Sequence, residues 1–374
     1  MGRALGRSRR SRGLSASSPS GGVGIYPGLC LGIVVAVLVV AAGCGGGGRA
    51  AEPETGPEQA TSVPDLTPLE QALALLPDVE ALRAQVLFGD LALLRERYAS
   101  PSALREALAG VWLPDALAGA TGPGWRRSFG FGLGAIERFV AGGFHPEEAA
   151  VLLGEFDAAA IRAQLGAGGY ARAAGLLSRG DDGEIDPATP VGRLALASLN
   201  RVAVRGRRLV ASSTSELARA VLAARGQSLP AGDADLALAA RAVGGATAAV
   251  VLPSEFVRPP TGVLVAPLVL GNASLVAVGL DDRGPRERVV TIVLVYGNEA
   301  EARDDASTLA EHLAGTALPV RSGVTFGELL ERLAVRIEGG RAVVVTGTIT
   351  AGESPGLWRG LLESGDLAVL VRPG

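Results

Sequence analysis

The spacing of apolar and polar positions changes character along this chain at about residue 124. From Thr67 onward the apolar residues first recur at helical spacing, with Leu69, Ala72, Leu73 and Leu76 on one face. Thr67 is placed to cap that helix, with Pro68 at its first position and Glu70 at capping-box distance. Helices are also predicted over 91–98 and 102–108, with a short strand at 86–88 between the first two. Residues 67–124 therefore form a helical N-terminal segment.

Beyond it, alternation at period two becomes frequent. Residues 151–156 predict a strand, and Asp157 caps a helix running to about Leu165. Residues 201–212 alternate about a central glycine, the signature of a hairpin, and a helix follows to about Arg225. The order recurs later. Residues 289–296 form a β-branched strand, and Asn298 caps a helix to about Leu313. Residues 333–346 form a hairpin around Gly339 and Gly340, and a helix spans 355–363. Further strands are predicted at 246–252 and 275–280, and helices at 132–140 and 235–243, with an irregular connection over 253–271. Hairpins outnumber strand–helix–strand crossovers. The expected class is α+β, with antiparallel sheets covered by helices on one face and a duplicated strand–helix–hairpin–helix unit. The two copies fall in modules at 125–230 and 231–374.

The first 66 residues follow neither pattern. Five arginines (Arg3, Arg7, Arg9, Arg10 and Arg12) precede an apolar run over 29–42 that ends at Gly43 and Cys44. A positive stretch, a short apolar core and small residues before a cut make a secretory signal peptide over 1–43. The run is shorter than the roughly 20 residues a spanning helix needs. Residues 44–66, rich in Gly, Pro, Glu and Thr, read as a flexible tether.

The ending Ala41-Ala42-Gly43-Cys44 resembles the lipobox of bacterial lipoproteins, with Ala41 where that family more often has leucine. The resemblance implies a diacylglyceryl group on the Cys44 thiol, cleavage just before it and fatty acylation, such as palmitate, of the new amino terminus. It covers about the first eighth of the chain. Read without it, the same residues make an uncleaved signal anchor. Either way positive charge stays inside, which puts the body at the outer, extracytoplasmic face of the cell membrane.

Composition narrows the functions available. Of 374 residues, 48% are hydrophobic, and all 35 basic residues are arginine. Removing the five leader arginines moves the formal charge from −3 to −8 against 38 acids. Such a body is a poor partner for a phosphate backbone, so no nucleic acid is expected. The two cysteines, Cys30 and Cys44, both lie in the leader region, so the mature chain has no disulfide framework.

Candidate chemistry is sparse. His145 and His312 are far apart and fit no metal spacing, reading instead as surface or capping residues. The loop from Asp181 to Asp186 invites calcium, yet lacks the order of an EF-hand and reads as a solvated acidic turn. Asp281 through Gly284 reads as another turn. Gly130 to Gly134, after Arg126 and Arg127, suggests a phosphate loop but has no GK[ST] sequence, and close packing explains its glycines equally well. Trp112, Trp125 and Trp358 serve as core or as sugar platforms. Without lysine a Ser-Lys pair is excluded, while a pair of carboxylates is not.

No catalytic, metal or cofactor site is therefore assigned, and the one site residue is Cys44. The expected function is a non-enzymatic binding or scaffold protein of the cell envelope, with the membrane and an envelope protein as partners. The alternatives are an envelope hydrolase using paired carboxylates and a carrier of an apolar ligand.

Overall fold

A computed structural model of the chain describes residues 66–122, 124–224, 228–257, 270–321 and 323–371. Thr67 caps α1 (Pro68–Leu73) through the expected capping box, its hydroxyl accepting from the Glu70 amide and the Glu70 carboxylate accepting from the Thr67 amide. Then come α2 (Glu80–Arg83), β1 (Val86–Asp90), α3 (Leu91–Arg97) and α4 (Pro101–Leu108), with Asp90 and Ser100 as side-chain caps. After α5 (Trp125–Phe129) the hairpin β2 (Ile136–Phe144) and β3 (Glu147–Gly154) leads into α6 (Ala158–Ala167), capped by Asp157. Two short strands, β4 (Ala171–Ala173) and β5 (Leu176–Ser178), precede α7 (Pro190–Ala195), the hairpin β6 (Arg201–Arg205) and β7 (Arg208–Ser212), and α8 (Ser215–Ala223).

A second series follows. Helices α9 (Leu229–Gly232) and α10 (Ala234–Val243) lead to β8 (Ala248–Pro253), β9 (Ala273–Asp282) and β10 (Arg288–Tyr296). Then come α11 (Glu299–His312), α12 (Phe326–Leu329), the hairpin β11 (Leu330–Glu338) and β12 (Ala342–Ile349), and α13 (Leu357–Glu363).

Among the described residues the twelve strands join in one sheet, ordered β11-β12-β10-β9-β8-β1-β2-β3-β7-β6-β5-β4, and every pairing is antiparallel. The α+β class expected from the sequence is the one observed. Outward from the β1–β8 seam the order reads β1-β2-β3-β7-β6 on one side and β8-β9-β10-β12-β11 on the other. Each half thus runs hairpin, helix, hairpin, and the last strand of its second hairpin docks on the first. The two hairpins whose sequences look alike, β6–β7 and β11–β12, occupy equivalent places in the two halves.

Side chains alternate across the sheet, so both faces are buried. Val290, Ile292, Leu294 and Tyr296 of β10 face one core, together with α3 to α6 and α11 to α13. Val293 and Val295 face the other, under α1, α2, α8, α9 and α10. The helical cover thus extends to a second face beyond the one expected.

One predicted helix is replaced by a strand. The segment 132–140, read as a helix, holds a short 3-10 turn and the start of β2. The cause is a bulge: Ile136 pairs with Gly154 but Arg138 pairs with Leu153, so Glu137 is an extra residue. It returns Ile136 and Phe139 to the same face, and a spacing of three in a strand then imitates a helix.

Candidate functional site

Where β2 and β3 run toward their turn, the paired residues are small. Ala141 faces Ala150, Gly142 faces Ala149, and Gly143 faces Glu148. Glycine at 142 is required by the opposite face, where a Cβ would sit 2.8 Å from the Leu82 carbonyl oxygen of α2. Gly143 has φ +88, and a Cβ there would lie 2.1 Å from the Glu147 carbonyl oxygen. A sheet so thinly covered leaves room above it. That room is a cavity of about 230 Å³, floored by Leu87, Ala141 and Ala150, walled by Glu148 and Ser198, and roofed by residues 112–116.

The roof is fixed from below. The buried Trp358 indole of α13 donates to the Gly110 carbonyl at 2.8 Å, and Ala116 and Leu117 are buried. Arg359 stacks over the Trp112 ring at 5.6 Å. Asp115 and Phe144 are exposed and stand at the mouth, and Phe144 meets Phe256 with ring centroids 5.4 Å apart.

Glu148 is the polar centre of this space. Its backbone is pinned by the end of β7: the Ser212 hydroxyl donates to the Glu148 carbonyl at 2.8 Å, and the Glu148 amide donates to the Ser213 hydroxyl at 3.1 Å. Its side chain, only 9% exposed, accepts a hydrogen bond at Oε1 from the buried Ser198 hydroxyl. Among the described residues nothing donates to Oε2. Burial pushes the Glu148 carboxyl up to about 7; the Ser198 hydroxyl opposes that shift, and the negative Asp115 adds to it.

Other buried carboxylates are treated differently. Asp90 pairs with Arg138 at 2.7 Å and Glu70 with Arg241 at 3.1 Å. Fully buried Asp282 and Asp366 lie 3.5 and 3.4 Å from Arg288 and Arg321. Asp305 accepts from the Gly271 amide at 2.7 Å. Glu148 has a hydroxyl and an open space.

Cys44, the lipid site expected from the sequence, lies outside the described residues, as do Cys30, the signal and most of the tether. His145 occupies the turn between β2 and β3, and His312 ends α11 beside Glu311. In the acidic loop, Asp182 pairs with the buried Arg201 at 2.6 Å and Asp186 with Arg179 at 3.3 Å. The Glu184 carboxylate accepts from the Asp181 amide at 2.7 Å. Arginines thus occupy two of the loop's four carboxylates, and a backbone amide takes a third. Among the described residues no cluster of His, Cys, Asp and Glu is arranged to hold a metal. Asp282 closes β9 as a buried strut, accepting from the Tyr98 hydroxyl at 2.5 Å, instead of sitting in a solvated turn.

Gly130, Gly132 and Gly134 line a shallow recess with Arg126, but Glu155 and Asp157 line it too and oppose an anion. Trp125 and Trp358 are core, while Trp112 lines the Glu148 cavity. Sequence reasoning did not single out Glu148. The available signal was an acid opening the apolar run 149–153.

Among the described residues no helix is long and apolar enough to cross a membrane. No family model matches the chain and no curated protein matches it. Similar solved structures include crystal form I of TP0453, at 14% identity and TM-score 0.34, covering 80% of this chain and 98% of that one. Crystal form IV of TP0453 has 13% identity and TM-score 0.38, covering 78% and 96% respectively.

Proposed function

We propose that this chain is a lipoprotein of the cell envelope, anchored through Cys44 at the outer face of the membrane, that binds a small molecule without transforming it. The observation that carries the binding role is the cavity over β2 and β3, lined by Glu148, whose carboxylate has the Ser198 hydroxyl as its donor at Oε1. Pockets with apolar walls and a few convergent polar groups are the usual form of a small-molecule site. A cavity of about 150 Å³ accepts benzene, so about 230 Å³ suits a ring with a short arm. The anchoring role is supported by the lipobox resemblance at Cys44 and by the tether that ends at the capped start of α1. A cavity with this polar wall favours a mixed ligand over the purely apolar one considered from composition.

Native mass spectrometry of the full-length protein extracted from its membranes tests this. The wild type is expected to carry a small-molecule adduct that A150L, which fills the cavity floor, does not. The same adduct on both proteins, or none on either, would refute the binding role. The mass of the N-terminal peptide tests the anchor: a peptide beginning before Cys44 without lipid would refute it.

One observation favours a second reading. Glu148, whose carboxyl burial raises to about 7, and Asp115 line the same cavity, and a carboxylate hydrolase needs such a pair of carboxyl groups. Turnover of a nitrophenyl glycoside by the wild type, abolished in E148Q, would replace the binding role with this one.

A further inference from the structure

The geometry points to a compact organic ammonium ion, a primary amine on an aromatic or branched aliphatic group, as the ligand of the Glu148 cavity. This rests on the cavity being the binding site and adds the ligand's charge.

The first argument is what the chain does with its other buried carboxylates. Glu70, Asp90, Asp282 and Asp366 each receive an arginine, and Asp305 receives a backbone amide. The mature chain has arginines in plenty, yet none lines this cavity. Glu148 has one hydroxyl, on Oε1, and among the described residues no arginine pairs with it; its side chain lines the cavity. A cation brought by the ligand completes at this position what arginine completes elsewhere.

The second argument is the sign of the lining. Its charged residues are Glu148 on the wall and Asp115 at the mouth, both acidic. A carboxylate or phosphate would meet repulsion from both and no counter-charge, while an ammonium meets attraction along its path. The third is shape. Trp112 in the roof and Phe144 at the mouth offer apolar surface suited to the hydrocarbon part of the ligand. Leu87, Ala141 and Ala150 make a small apolar floor that limits the group to about the size of one ring.

An ammonium of this kind is carried by free amines and by ethanolamine headgroups. The headgroup also carries a phosphate, for which the lining has no cation, so the free amine fits better.

The test is isothermal titration of the full-length protein in detergent at pH 8 with phenethylamine, 2-phenylethanol, 3-phenylpropionate and a short-chain phosphatidylethanolamine. The amine is expected to bind at least about tenfold more tightly than the alcohol, and the carboxylate not measurably. E148Q is expected to lose about tenfold or more for the amine alone, and D115N a smaller factor, with melting curves confirming that both fold. Equal binding of amine and alcohol, or an amine affinity unchanged in E148Q, would overturn the inference while leaving the cavity a binding site. Binding of the phosphatidylethanolamine but not phenethylamine would overturn the free amine in favour of a headgroup. If none of the four binds, the ammonium inference falls, and the A150L comparison decides separately whether the cavity holds anything.

Discussion

Replacing Glu148 with glutamine isolates the cost of keeping a carboxylate beneath the residue 112–116 roof. Glutamine retains an acceptor oxygen for the Ser198 hydroxyl but cannot ionise. In the folded protein the Glu148 carboxyl is raised from 4.5 to about 7, chiefly by burial, and with 9% exposure little solvent screens it. A displacement of that size corresponds to about 3 kcal/mol between its protonation states. The folded value lies above the unfolded one, so between pH 4.5 and 7 the folded state holds more protons. Stability from this group is therefore greatest at low pH and falls as pH climbs through that window. The gap between E148Q and wild type should be small near pH 5, about 1 kcal/mol, and widen toward pH 8, where E148Q is more stable by up to about 3 kcal/mol. For a body of this length that is roughly 5 °C in Tm. The assay is thermal melting of both proteins across pH 5 to 8. Parallel curves over that range would refute the claim that Glu148 is a desolvated carboxyl, and a widening gap would support it.

Three further outcomes follow from the packing. R201Q should lower stability by about 2–4 kcal/mol, because Arg201 ties Asp182 and the carbonyls of Arg179, Gly180 and Asn200 together; millimolar calcium should raise the Tm of neither protein, and a rise would restore calcium to the acidic loop. W358F should cost about 1–3 kcal/mol in denaturant unfolding by leaving the Gly110 carbonyl without its donor, and an unchanged midpoint would mean the roof is anchored otherwise. G143A should cost about 1–3 kcal/mol, since its φ of +88 and the nearby Glu147 carbonyl both resist a Cβ; a neutral effect on the unfolding midpoint would contradict the turn geometry.

The sequence revealed the parts of this fold that are punctuated by backbone chemistry. Gly339 and Gly340 both take positive φ in the β11–β12 turn, as a tight hairpin demands, and Thr67, Asp157 and Asn298 cap the helices they were expected to cap. The repeat was legible because both of its second hairpins turn at a glycine next to an arginine. Strand β2 was concealed by its own bulge, and β4 and β5 are only three residues each, too short for alternation to register.

The cavity was hidden for a different reason. It exists because 141–143 lie across from 148–150 in one register, and because Ser198, fifty residues away, reaches Glu148. Neither fact has a local signature. The arginines that occupy Asp182 and Asp186 are likewise supplied by β6 and by the segment before α7, so two carboxylates of a loop that suggests calcium in one dimension are paired in three.

The measurement that bears most directly on the binding role is a high-resolution crystal structure of the full-length protein extracted from its own membranes without exogenous ligand. The account predicts electron density for one small molecule between Trp112 and the β2–β3 floor, within hydrogen-bonding distance of Glu148 Oε2. A cavity holding only ordered water, in crystals whose protein was never stripped of ligand, would contradict it.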